Sequence, residues 1–438
     1  MAAPLLHENV EAPEDGMAAR RKFCVPLFIP SLLQGKSTAV VTPMLPIFIQ
    51  EDLGGTVADV GLVASTYAFA QVATSIPVGF LLAQFNHRYS AMAALVICIL
   101  ASIVASRSSS IVELMLIRFV SGTAANSWNL ARKVWIAAEV PKEVRGRITG
   151  ALTGMSRWAG LLGALLGGFV AEIATRDIFL VQAALSLFAL LVLMAYEKCG
   201  RVAVEDGVKP RDRKEIKPEQ ARGGSVLEIL RASLPGICTA GVYALMLNGC
   251  RQTWLILLPL QGRSAGLSKA MIGGLVAVGK FVDGLVGMTI SGELMDSWGR
   301  KSVGMPAMLI ISAAYWVSAV AKDEWGVLAA SLLFGLGNGL TGGIASTLSA
   351  DLAPTWARAQ FMGLWKMVTS NGSLLFPLIF GLLANALDSL DKATYLLQLL
   401  GVCAALWLWL MVPETCSGPG GSQESLMMDI SPSRSGKL

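Results

Sequence analysis

Twelve apolar stretches alternate with polar connections along the chain. They run at approximately 24–49, 60–84, 91–105, 112–138, 148–173, 178–196, 234–260, 270–291, 303–321, 327–348, 361–384 and 395–412. A helix of about twenty such residues crosses the hydrocarbon of a bilayer. The connections are short except for a basic one at 197–225, which holds Lys198, Arg201, Lys209, Arg211, Arg213, Lys214, Lys217 and Arg222. The pattern predicts an all-α integral membrane protein of twelve transmembrane helices. Six lie in 23–196 and six in 226–415, with tails at 1–22 and 416–438.

The polar stretch at 291–301, SGELMDSWGRK, joins the eighth apolar segment to the ninth. It is too polar for lipid, and Arg300 and Lys301 put fixed positive charge at the membrane surface, which marks a cytoplasmic side. Gly292 and Gly299 are expected to allow close backbone approach. A broken copy, with Gly79, Leu81, Ala83, Asn86, His87 and Arg88, lies about 213 positions earlier. The same shift carries Pro46 to Pro259, Gly61 to Gly274, Gly122 to Gly335, Pro141 to Pro354, Arg145 to Arg358, Gly150 to Gly363 and Gly168 to Gly381. An ungapped match of this kind means two halves with one helix layout, related by a parallel repeat.

The pattern Gly-x-Leu-x-Asp-x-x-Gly-Arg-Lys at 292–301 resembles the loop signature of the major facilitator superfamily, which follows the second helix of each six-helix half. The resemblance covers 23–415. It implies that fold, and a secondary transporter whose halves rock about a midplane site. It also implies that the loop aspartates latch the cytoplasmic face by holding the opposite half. Because Ala83 replaces the acid in the first copy, Asp296 is left as the expected latch. Gly292, Gly299, Arg300, Lys301, Arg145 and Arg358 are the further expected gating residues.

Composition narrows the function. With 54% hydrophobic and 15% charged residues, the chain lies outside the soluble range. The net charge of +5 sits in the connections, without the aromatic interleaving that would support nucleic-acid binding. Seven scattered cysteines read as small buried hydrophobes, and two histidines, His7 and His87, leave no material for a metal centre, so neither metal nor cofactor is expected. The tail at 1–22 is acidic and lacks an apolar core, so it does not read as a signal peptide. With both termini on the cytoplasmic side, about twenty Lys and Arg face the cytoplasm and about five face away. The plasma membrane and an organelle membrane both fit.

The third, sixth, ninth and twelfth segments have no charge in their cores, which predicts that they face lipid. Charge elsewhere must face the bundle interior, because each ion in hydrocarbon costs several kcal/mol. Lys36 near mid-depth either binds an anionic substrate or pairs with an internal acid such as Asp283. Arg118 with Gly122 resembles the fourth-helix motif of the drug and proton antiporters, which links that arginine to proton coupling. Arg132 and Lys133 are near enough to the cytoplasmic end to snorkel. Around Arg157, the glycines at 160, 163, 167 and 168 resemble an antiporter pattern in which Ala164 replaces the proline. Lys280 and Asp283 share a helix face and either neutralise each other or form a proton site. Asp283 is the only acid deep in any span.

Lys36, Arg157, Arg251, Lys280 and Lys366 against Asp283 give a cavity with excess positive charge, which attracts anions. Trp254 and Trp365 offer flat apolar walls, as do Trp128 and Trp158. The expected substrate site is therefore Lys36, Arg157, Arg251, Trp254, Trp365 and Lys366, with Asp283, Lys280 and Arg118 for proton coupling. The leading reading is a monomeric secondary transporter of a small organic anion, with protons as the coupling ion. A multidrug or organic-cation exporter using Asp283 is the second. A sensor or scaffold that kept the fold without transporting is a third, of another class. No nucleophile and base pair or phosphate loop points to an enzyme.

Overall fold

A computed structural model describes residues 16–140, 142–205, 226–354 and 358–414. Among these no strand occurs, and the helices follow one another in the order α1 Gly16–Val41, α2 Leu45–Glu51, α3 Val57–Ala73, α4 Ser75–Gln84, α5 His87–Ser106, α6 Ile111–Glu139, α7 Lys142–Ile173, α8 Asp177–Glu205, α9 Val226–Gly236, α10 Val242–Ser264, α11 Lys269–Thr289, α12 Ser291–Ser297, α13 Arg300–Val320, α14 Glu324–Leu340, α15 Ile344–Asp351, α16 Arg358–Ala386 and α17 Leu390–Met411. A π-helical turn, Ile237–Gly241, joins α9 to α10. Most of the linker and both tails lie outside the described residues.

Six of the helix starts carry side-chain caps. Thr56 and Asp59 form a reciprocal capping box at α3, and Asn86, Ser110, Ser268, Asp323 and Ser389 accept backbone amides at α5, α6, α11, α14 and α17. The breaks are equally local. Pro43 and Pro46 withhold two amides, and α1 gives way to α2 across residues 42–44. The second segment bends by 43° between α3 and α4. Residues 341–343 separate α14 from α15, and turn bonds close the break, the Ile344 amide donating to the Thr341 carbonyl at 3.3 Å and the Ser346 and Thr347 amides to that of Gly343 at 3.0 Å.

Packing repeats as the sequence does. In the first half α1 packs on α7 and α8, α5 on α6 and α8, and α3 on α6. In the second half α10 packs on α16 and α17, α13 on α14 and α17, and α11 on α14. The halves meet where α7 lies along α11 and α3 along α16. Glycines let these backbones touch: a Cβ on Gly168 would fall 2.9 Å from Gly273 Cα, and one on Gly381 would fall 3.2 Å from Gly61 Cα. Even a cation over a ring recurs, Arg88 over Tyr196 and Lys301 over Trp409, at repeat-equivalent positions.

By length and composition, eight of the described helical segments could cross a membrane, and nine do if the bent α3 and α4 count as one. α6, α7 and α10 fall outside that set. They carry Arg118, Arg132 and Lys133, Arg157, and Arg251, which lower their apolarity; Arg118 is buried, Arg132, Arg157 and Arg251 are half-buried, and Lys133 is exposed. On the charge-free segments large side chains point outward, for example Leu100 on α5, Phe188 on α8, Trp316 on α13 and Leu410 on α17. Cys98 and Cys250 are buried as expected, but Cys238 and Cys403 are exposed, where lipid is apolar enough to receive them.

Candidate functional site

The central site is built around one acid. Asp283, on α11 of the second half, is 6% exposed. Arg157 reaches it from α7 of the first half, its Nη1 donating to the Asp283 carbonyl at 2.7 Å and lying 3.3 Å from Oδ1. Lys280, one turn before the acid, holds its Nζ 3.8 Å from Oδ2. The approach depends on missing side chains: a Cβ on Gly287, one turn after Asp283, would lie 2.7 Å from Arg157 Cζ, and one on Gly342 would overlap Arg157 Nη2. A second arginine lies close by. Arg251 on α10 donates from Nη2 to the carbonyl and hydroxyl of Thr341, at 2.9 and 2.8 Å, joining the Ile344 amide on that carbonyl at the break after α14.

Beside this cluster lies a small cavity of about 20 Å³, room for about one water molecule, lined by Lys280 and Asp283 together with Trp254, Phe334, Asn338 and Pro43. Trp254 stacks flat on Phe334, with ring centroids 4.3 Å apart. Arg157, Lys280, Asp283, Arg251 and Trp254 are thus brought together. Lys36, half-buried on α1, has no ion pair through its ammonium among the described residues, and it is Arg157 rather than Lys36 that meets Asp283. Trp365 lies apart, buried against Phe361 and close to Gly241. Lys366, on α16, is near enough to Lys133 of α6 for the two to repel each other. Arg118 is buried over the ring of Tyr67, 4.2 Å from its centroid, with Nε unpartnered.

The loop at 291–301 sits at the face where the chain ends, since Glu414 accepts the amides of Arg300 and Lys301 at 2.8 and 3.0 Å. Gly299 adopts φ of +95°, which suits glycine. Gly292, by contrast, has open space around it rather than a close neighbour. Arg300 pairs with Asp296 at 2.8 Å and Asp351 at 3.5 Å, both in its own half. Arg145 donates to the carbonyls of Ala137 and Val140, stapling the turn between α6 and α7. Arg358 opens α16, its side chain outside the described set.

At the opposite face the halves are joined by contacts that hydropathy had hidden. Glu51 at the end of α2 binds Arg263 of α10 at 2.5 Å and Lys269 of α11 at 2.9 Å. Lys269 also donates to Thr175 at 2.6 Å, and the Ala270 amide donates to Glu172 at 3.0 Å. Each of these polar residues sits at a segment end, where charge is ordinary, so only their meeting across the halves singles them out.

Two helical halves that repeat each other's packing and meet around a charged centre form the architecture of a known transporter family. The family model for the Major Facilitator Superfamily matches residues 27–341 and 255–432. The chain belongs to the Major Facilitator Superfamily. The tetracycline resistance protein, class B, of Escherichia coli is 22% identical over 400 residues, covering 90% of this chain and 97% of that protein. The glucose transporter GlcP of Staphylococcus epidermidis is 23% identical over 414 residues, covering 88% and 92%. Among solved structures, the nucleoside transporter NupG aligns with a TM-score of 0.69 at 14% identity, covering 88% of this chain and 98% of that one. The D-xylose-proton symporter aligns with a TM-score of 0.68 at 14% identity, covering 90% and 98%. As a member of this superfamily, the protein is a multi-pass secondary transporter and not an enzyme.

Proposed function

We propose that the protein moves a small organic anion together with a proton, and that Asp283 carries the proton. One observation supports this above the rest: Asp283 is a buried carboxylate held between a cation of its own half and a cation of the other. Ionised, it occupies Arg157 and Lys280. Breaking such a pair leaves a bare charge in a dry place, which costs several kcal/mol. A proton on Asp283 removes that obstacle and releases both cations to an incoming anion. The neutralised centre then lets the halves rock. Arg251, Lys36 and Lys366 extend the positive lining, and Arg118 serves the proton path. The terminal face, with Asp296, Arg300 and Lys301, is the cytoplasmic gate, and the working unit is a monomer.

Proteoliposome uptake of a panel of labelled organic anions and cations, with and without an inward-acid gradient, tests the reading. Asn at position 283 mimics the protonated acid. Asp283→Asn should therefore abolish gradient-driven accumulation while keeping anion exchange at equal pH. Accumulation that persists in Asp283→Asn overturns it. A drug exporter is the second reading, favoured by the similarity to a tetracycline resistance protein along 90% of this chain. Cation flux that survives Lys36→Gln and Arg251→Gln but disappears in Asp283→Asn would establish that reading in its place.

A further inference from the structure

At the face opposite the termini, the second half holds a cavity that the transport reading leaves unused. It measures about 150 Å³ and lies where the end of α10 meets the end of α13 and the start of α17, lined by Gln261, Ser264, Lys322 and Asp391 with three apolar neighbours. One water needs about 10–15 Å³, so a small organic group has room here. The fold does not impose this hollow. The repeat shift carries Gln261 back to Phe48 and Asp391 back to Ile178, both fully buried. In the first half the corresponding place is packed by apolar side chains, with the Phe48 ring set edge-on to Phe179 at 5.2 Å. The second half puts an amide and a carboxylate where its twin puts an aromatic ring and a branched alkyl group.

The groups left uncommitted here are acceptors. Gln261 is 2% exposed, and its Nε2 donates weakly to Asp391 Oδ1 at 3.5 Å. Its Oε1 meets no donor among the described residues, yet it is not sealed inside protein. The Ser264 hydroxyl donates to the Leu260 carbonyl at 3.0 Å, which leaves its oxygen free to accept. Asp391 Oδ2 takes the Lys322 ammonium at 2.6 Å, but that lysine side chain is 72% exposed and stands at the rim. An ion pair so exposed is worth little, so a better-held cation can displace it. We infer that this cavity binds a primary ammonium group, with Asp391 taking the charge and Gln261 Oε1 and Ser264 Oγ accepting N–H bonds. The assignment is independent of the anion reading, since the cavity shares no lining residue with the one beside Asp283. Three acceptors match the three N–H bonds of such a group, whereas a quaternary ammonium offers none. A free amine and an aminophospholipid headgroup both carry that chemistry, and the ends of spans lie at headgroup depth.

The test is equilibrium binding of n-butylammonium and n-butyltrimethylammonium to the full-length protein in phosphatidylcholine nanodiscs, whose headgroups carry no N–H. The primary amine should bind at least about tenfold more tightly than the quaternary one. Asp391→Asn should weaken it at least about tenfold, and Gln261→Leu should bring the preference down to near unity. These changes lie on different helices, so one variant decides should the other fail to fold. Lys322→Ala should tighten binding by up to about fivefold, because a tethered rival is gone. Adding phosphatidylethanolamine to the nanodisc separates the two sources. Weaker butylammonium binding there means that the headgroup fills the site, and unchanged binding means that the site takes free amines. A native protein without the preference, a preference that survives both Asp391→Asn and Gln261→Leu, or weaker binding in Lys322→Ala overturns the assignment and leaves the anion reading intact.

Discussion

At the scale of single residues, the centre is made as much by absences as by charges. Arg157 reaches Asp283 only because positions 287 and 342 lack a side chain. Gly287→Ala should therefore displace the guanidinium and slow proton-driven uptake at least about tenfold. Gly274→Ala on the same helix, where a Cβ would meet nothing, should leave uptake unchanged. Thermal melting would check that both variants fold. Equal uptake by the two would mean that Arg157 does not need its present position. Asp283 was legible in the sequence because an acid deep in an apolar stretch has few structural excuses. Its near partner Lys280 was legible too, three residues away on one helix face, but its partner from the other half was not, because Arg157 lies 126 positions away and only the folded chain brings them together.

At the scale of helices, the breaks at Pro43 and Pro46 could be read in advance, since proline removes a donor wherever it stands. The π-turn after Pro235 and the break at 341–343 could not, because there the neighbouring helices decide where the ladder opens. The crossings of α7 on α11 and of α3 on α16 rest on small residues that let backbones touch, a common device within membranes. Gly168 and Gly381 are repeat mates, and each occupies one crossing near the face opposite the termini. Gly168→Leu and Gly381→Leu should each wedge that face apart. Spin labels at Ser109, in the loop before α6, and Glu324, at the start of α14 in the other half, would report longer distances in both variants. Unchanged distances would mean that the crossings tolerate bulk and do not hold the face closed.

At the scale of the whole molecule, the ion pairs described across the halves lie at the centre and at the face opposite the termini. Glu51 with Arg263 and Lys269 acts as a clasp there. All three side chains are partly exposed, so the clasp is worth about 1 kcal/mol rather than several. Glu51→Gln should then raise the population open at that face about fivefold. Single-molecule fluorescence between dyes on the two halves would count that population. Raising salt from about 0.05 to 0.5 M should shift the native protein the same way and the variant much less. A native population indifferent to both changes would deny the clasp any part in closing the face.

The bridge between Arg157 and Asp283 has a consequence for the history of the chain. Carried by the repeat offset, Asp283 falls on Ala70 and Arg157 on Ser370, so neither member of the pair has a charged twin. Two identical halves would have met at their centre without this contact. Each member of the bridge is confined to one copy, so the two copies have diverged at the centre of the molecule. Whatever the bridge controls was acquired through divergence, and a protein rebuilt with perfect internal symmetry would keep the architecture and lose it.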